Sequence, residues 1–115
     1  MVKQLASTTP APQLDRIFAA LSDPTRRALL QRLDAEDGIS VSDLARPLSM
    51  SLPAVMKHLD VLEGAGLIAR QKTGRTVACR LTAAPMEDAM GWLARYQRFW
   101  TESLDRLAAA VEKMP

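Results

Sequence analysis

Lys57 and Arg75 are the two residues of this chain best placed for chemistry. Lys57 falls on the outer face of an expected helix, near its start, and Arg75 at the tip of an expected hairpin. Arg70, Lys72 and Arg80 make the rest of that hairpin cationic. Such a pattern suits neutralisation of phosphate groups along a nucleic-acid backbone, with Arg75 reaching toward a minor groove. It does not suit catalysis. His58 and Cys79 are the single His and the single Cys of the chain, so there is no nucleophile and base pair, and no Gly-rich phosphate loop. A closed transition-metal site takes about four such ligands. The expectation is therefore no enzyme, no metal site and no cofactor.

The elements that must position those cations can be read from spacing. Ser42 sits as an N-cap, Leu44, Ala45 and Leu48 follow with helical spacing, and Pro47 ends that helix. Ser49 and Met50 make a turn. Ser51 then caps a second helix with Pro53 in its first turn, where a missing N–H costs nothing. Val55, Leu59 and Leu62 form the buried stripe of that helix, while Pro53, Ala54, Met56 and Lys57 point outward and His58 flanks the stripe. Gly66 suits a left-handed C-cap with Leu67 packed just beyond it. From Ile68 to Leu81 the chain reads as a hairpin. Val77, Cys79 and Leu81 point inward, and Gly74 takes a positive φ in the turn Thr73–Thr76. Two helices, a tight turn and a basic hairpin imply a winged helix-turn-helix, mainly α with a small β-hairpin wing, whose second helix enters a DNA major groove. On this reading Ser51, Pro53, Ala54, Met56, Lys57, His58, Lys72 and Arg75 are the DNA-binding residues. The alternative is a winged helix used as a protein–protein interaction module, a reading that leaves the basic wing without a reason.

The run SDPTRRALLQRL (Ser22 to Leu33), then VSDLA, SLPAVMKHLDVLEGAGLI and the KTGR turn resemble the ArsR/SmtB winged-helix repressors from Leu14 onward. The resemblance implies a homodimer on a pseudo-palindromic operator in double-stranded DNA, released by some signal. Met56 departs from the Ser frequent in the family. The family's Cys-Val-Cys type metal site would fall around Val41 to Leu44, which here reads Val-Ser-Asp-Leu, and its carboxylate and His site on the last helix has no His here. The known metal-sensing sites are absent.

The flanking segments read as a dimer scaffold. Residues 14–21 form a short helix with Leu14, Ile17, Phe18 and Leu21 on one side, and Asp23-Pro24 restarts a capped helix with Leu29, Leu30 and Leu33 inward. Residues 86–113 hold no Pro and predict one helix about 42 Å long. Met90, Leu93, Tyr96, Trp100, Leu104, Leu107 and Val111 recur along it at steps of three and four, a seam suited to a partner helix. Leu14, Ile17, Phe18, Leu93, Tyr96, Trp100, Leu104, Leu107 and Val111 are thus the expected dimerisation residues. Trp92, Tyr96, Phe99 and Trp100 gather four of the five aromatics on this segment. They read as filling of a dimer core, with a pocket for a small apolar effector as the other reading. Arg26 and Arg27 are read equally as backbone-phosphate ligands and as helix-surface residues pairing near Asp23.

A chain of 115 residues with 48% hydrophobic content suits one domain, here residues 14–115, preceded by a flexible arm over residues 1–13 rich in Ser, Thr and Pro. Net charge is +2, yet Ser42 to Thr82 alone carries +3, where the expected DNA-binding elements lie. With no apolar run for a signal peptide or membrane span, and one Cys, the expected setting is cytoplasmic, with no membrane partner.

Overall fold

A computed structural model describes residues 11–115, and the first ten residues of the expected arm lie outside that range. Ala11, Pro12 and Gln13, read from sequence as part of the arm, are already helical. Helix α1 spans Ala11–Leu21 and α2 spans Pro24–Ala35. Asp23 separates them as the N-cap of α2, its carboxylate accepting from Arg26 N at 3.0 Å, with Pro24 at the first helical position.

A two-residue strand β1 (Ile39–Ser40) leads into the five-residue helix α3 (Val41–Ala45). The N-cap of α3 is Ser40, whose Oγ accepts from Asp43 N at 3.1 Å, and not Ser42 as spacing suggested. Strand pairing explains the shift. Ile39 and Ser40 pair with Cys79 and Ala78, so the chain is extended through Ser40 and turns helical only afterwards. Helix α4 (Leu52–Gly64) follows, and then the hairpin β2 (Ile68–Thr73) and β3 (Thr76–Leu81), giving an antiparallel sheet of order β1-β3-β2.

The hairpin register runs from Ile68 opposite Leu81 to Thr73 opposite Thr76, leaving Gly74 and Arg75 as a two-residue loop. Gly74 has φ +62° and Arg75 a negative φ, the backbone pattern of a type II′ turn, which matches strand twist. At the other end, α4 stops in a Schellman arrangement. Leu67 N donates to Leu62 O and Gly66 N to Glu63 O, both at 2.9 Å, with Gly66 at φ +76°. Leu62 and Leu67 are both fully buried, so the cap is closed by the apolar contact that steers the chain into β2.

One core holds these parts together. Leu29, Leu33, Ile39, Leu44, Val55, Leu59, Leu62, Leu67 and Cys79 are all buried in it, drawn from α2, α3, α4 and the sheet. Each such aliphatic side chain contributes about 1.5–3 kcal/mol by leaving water. Ile17, grouped by sequence with the dimer seam, is fully buried within the protomer, because α1 turns that face toward α4 and α5.

The C-terminal segment is not one straight helix. Helix α5 (Ala84–Leu93) gives way to a tight 3₁₀ turn at Ala94–Tyr96, and α6 (Gln97–Glu112) resumes beyond it. Helix α5 packs on α1, with Phe18 and Trp92 ring centroids 5.7 Å apart in an edge arrangement. Helix α6 buries no residue at all. Its projection gives a radius of gyration of 18.8 Å, against roughly 13 Å for a compact domain of this length.

Substitution of Gly66 by Ala tests the α4 cap. It forces a Cβ into a left-handed conformation and within 3.3 Å of the Pro85 ring. A loss of about 1–2 kcal/mol in urea-induced unfolding is expected, and an unchanged midpoint would contradict this account of the cap.

Candidate nucleic-acid interface

Helices α3 and α4, their connecting turn and the β2-β3 wing form the site. Ser51 Oγ caps α4 by accepting from Ala54 N at 3.3 Å, so the first turn starts with its backbone donors partly satisfied and its tip at the surface. Val55, Leu59 and Leu62 anchor the helix in the core. The opposite face presents Pro53 and Lys57, both exposed, with Ala54 and Met56 half-buried at its margins. Met56 is therefore not purely outward-pointing. It packs partly on the core and lines a shallow groove of about 400 Å³ between α4 and the wing, together with Val41, Val77, Arg70 and Lys72.

His58 turns the other way. Its Nδ1 lies 3.2 Å from Arg26 Nη1 and 3.9 Å from the Asp23 carboxylate. A guanidinium has only donors, so Nδ1 must accept here. The imidazole thus ties α4 to the start of α2, and its polar contact belongs to the fold rather than to the outer face. Asp23 is held below the usual carboxylate range, first by the backbone hydrogen bond from Arg26 and then, against a desolvation cost, by His58 and the Arg26 charge.

The three arginines of α2 have roles that spacing alone left open. Arg26 donates to Ala20 O and Ala19 O, each at 2.9 Å, and Arg27 donates to Leu21 O at 2.8 Å. Arg32 donates to Asp43 O and Leu44 O, each at 3.1 Å. Helix ends leave carbonyls without intrahelical partners, and a cation is favoured there by the helix dipole. Arg26 and Arg27 close the C-terminal end of α1, and Arg32 closes that of α3.

The wing holds another correction. Arg70, expected to lie along a phosphate backbone, instead bridges Asp60 and Glu63 of α4. Its Nη2 is 2.7 Å from Asp60 Oδ1 and its Nε 3.0 Å from Glu63 Oε1. Those hydrogen bonds, first to Glu63 and then to Asp60, raise its pKa further. Arg80 is likewise paired, with Asp37 at 2.7 Å, and Arg46 with Asp43 at 2.9 Å. Among the described residues Lys57, Lys72 and Arg75 make no ion pair, and all three are exposed. Lys72 shares the groove with Met56, and Arg75 stands three residues beyond it at the hairpin tip. The surface made by the outer face of α4 and the wing thus carries net positive charge at its edges.

Cys79 is fully buried on β3, and burial pushes its thiol pKa up. A thiol in that state is a poor nucleophile and packs as a small apolar group. Among the described residues no cluster of three or more His, Cys, Asp or Glu side chains forms, and no helix is long and apolar enough to cross a membrane.

A short helix followed by a capped recognition helix, continuing into a basic two-stranded wing, defines a winged helix-turn-helix regulator. Comparison with known proteins agrees. Residues 21–71 match the helix-turn-helix domain family. The chain is 37% identical to the HTH-type transcriptional regulator Rv2034 of Mycobacterium tuberculosis, over 85% of this chain and 88% of that one. It is 29% identical to the transcriptional repressor SdpR of Bacillus subtilis, over 72% and 91% respectively. The crystal structure of the ArsR family transcriptional regulator RHA00566 superposes with a TM-score of 0.74 at 43% identity, covering 81% of this chain and 95% of that one. The solution structure of the homodimeric winged helix-turn-helix DNA-binding domain of Mycobacterium bovis Mb0332 superposes with a TM-score of 0.57 at 25% identity, covering 83% and 84%. The chain belongs to the ArsR family of transcriptional regulators, a family of regulators and not of enzymes.

The Arg70 bridge yields a test on non-specific duplex DNA at low salt. Arg70→Ala frees two carboxylates beside the recognition surface and should weaken binding roughly fivefold. Adding Asp60→Asn and Glu63→Gln should restore most of that loss. Were Arg70 itself a phosphate ligand, Arg70→Ala would still weaken binding in a background that already carries Asp60→Asn and Glu63→Gln.

Proposed function

We propose that this chain is a homodimeric repressor that binds a pseudo-palindromic operator through α4 and the wing. Binding to double-stranded DNA is supported most by one observation, the sorting of charge. Arg46, Arg70 and Arg80 are paired with carboxylates, while Lys57, Lys72 and Arg75 remain exposed around the recognition helix. In this reading Ser51, Pro53, Ala54, Met56 and Lys57 face the major groove, and Lys72 and Arg75 follow the backbone toward the minor groove. His58 is left out of the DNA-facing set, since its contact is with Arg26 and Asp23.

The dimer is supported by α6. Trp100 is 72% exposed, and Leu104, Leu107 and Val111 are each 57–60% exposed along one side of a helix that buries nothing. With about 60% of each side chain still exposed, and about 1.5–3 kcal/mol for complete burial of each, those four residues supply on the order of 4–7 kcal/mol per protomer. That matches the 4–15 kcal/mol that association costs. Leu93 and Tyr96 continue the seam, and Leu14 and Phe18, both half-buried on α1, border it through Trp92. Repression and the homodimer are the states of SdpR and of the Mb0332 domain, respectively. The aromatic string Phe18, Trp92, Tyr96 and Phe99, with neighbouring centroids 5.2–6.5 Å apart, reads as part of that interface. Two recognition helices carried by the dimer then meet successive major grooves, about 34 Å apart along the duplex.

Fluorescence anisotropy on duplex from upstream of the protein's own gene, compared with scrambled duplex at two salt concentrations, tests the proposal. Tighter binding to the native sequence is expected. Lys57→Ala and Arg75→Ala should each weaken binding and, with two copies per dimer, each reduce the log–log salt slope by about 2. Variants that bind as the unmodified protein does would remove both residues from the interface.

The seam has its own test. Leu104→Asp places a charge in the middle of the α6 stripe, and sedimentation should show a monomer with operator affinity lowered at least tenfold. A Leu104→Asp protein that stays dimeric would refute the assignment of α6.

A further inference from the structure

The first two turns of α4 offer few groups that can hydrogen-bond a base edge. Ser51 Oγ accepts from Ala54 N and keeps only its O–H to offer, His58 turns its Nδ1 toward Arg26 of α2, and the Asp60 carboxylate is held by Arg70. Lys57 remains as the exposed cationic donor of the outer face. Around it the surface is apolar. Leu52, the first residue of the helix, is 54% exposed, Pro53 is exposed and carries no N–H, and Met56 is half-buried. The tip of this helix therefore lacks the Asn, Gln and Arg side chains that read adenine and guanine bidentately.

The major groove presents hydrogen-bonding groups on every base pair and one apolar group, the C5-methyl of thymine. An apolar helix tip gains by meeting that methyl and loses by desolvating the polar edges of G·C pairs. Resting on the DNA-binding reading above, we propose that Leu52, Pro53 and Met56 specify the operator by contact with thymine methyl groups. Lys57 adds one polar contact to each half-site. Lys57, Lys72 and Arg75 flank the apolar tip and would draw phosphates down on either side of it. Met56 also lines the groove between α4 and the wing, beside Val41 and Val77. Its unbranched thioether chain can shift between that groove and a base without a rotamer clash.

Substitution in the DNA tests this without disturbing the protein fold. The full-length protein first enriches its preferred duplexes from a random library. The best site is then made with deoxyuracil at every thymine, which keeps the pairing and the O4 acceptor and removes only the methyl. Enriched half-sites should be thymine-rich, and the uracil duplex should bind at least tenfold more weakly, since each lost methyl contact is worth about fourfold. Leu52→Ala should narrow the thymine-to-uracil ratio by about fourfold. Equal binding to both duplexes, or half-sites fixed by G·C pairs alone, would overturn the inference while leaving DNA binding intact. Failure of any sequence to be enriched would overturn the DNA-binding reading itself, and the inference with it.

Discussion

Helix ends leave carbonyl groups that must find donors, and in this protein one helix supplies them for two others. Arg26 and Arg27 of α2 close the end of α1, and Arg32 closes the end of α3. These contacts set the angles at which α1 and α3 leave α2, because a guanidinium fork bonds well only in a narrow geometry. The apolar side of α2 adds Leu29, Leu30 and Leu33 to the same core that receives Val55, Leu59 and Leu62 of α4. The placement of α4 therefore follows from α2, through the leucines on one side and through the Arg26–His58 contact on the other. A recognition helix needs that rigidity, since its exposed face can present a fixed pattern only if its buried face cannot rotate.

The second constraint is electrostatic. Asp60 and Glu63 would repel a polyanion if they stood unpaired next to the recognition surface. Arg70 takes up both and, in doing so, joins β2 to α4. One side chain thus fixes the angle of the wing and removes two negative charges from its neighbourhood. Such half-exposed bridges add little to stability, and their main effect here is on the field at the surface. The net charge of +2 says little about that field, because its positive part is concentrated at Lys57, Lys72 and Arg75.

The C-terminal segment leaves apolar surface uncovered within the protomer. Beyond the 3₁₀ turn at Ala94–Tyr96, α6 buries no residue, so its apolar stripe is left uncovered in the protomer. Trp92 stays behind on α5 and packs on Phe18, while Trp100 stands on α6 at 72% exposure. A contiguous patch of that kind is uncommon on a monomer and marks an association surface. In the proposed homodimer, association and the spacing of two recognition helices become one structural problem, set by the same helix.

Local chemistry made much of this legible in the sequence. Ser51 with Pro53, the Val55-Leu59-Leu62 stripe, Gly66 followed by Leu67, and Gly74 between alternating strand residues each act over eight positions or fewer. Their readings hold in the structure because capping, helical period and positive φ are local demands. Asp23-Pro24 and the inward Leu29, Leu30 and Leu33 hold for the same reason. What tertiary structure decided is everything that joins distant residues. Ser40 displaced Ser42 as a cap because β1 pairs with the distant β3, Ile39 opposite Cys79. Ile17 moved from the expected seam into the core because α1 packs on α4 and α5, and the expected single long helix is interrupted by a 3₁₀ turn at Ala94–Tyr96. Arg70 left the phosphate-binding set for carboxylates seven and ten residues earlier, and the α2 arginines turned to backbone carbonyls. A charge in sequence has a sign and a position on its own element. Which partner it meets depends on how elements pack, and only the folded chain supplies that.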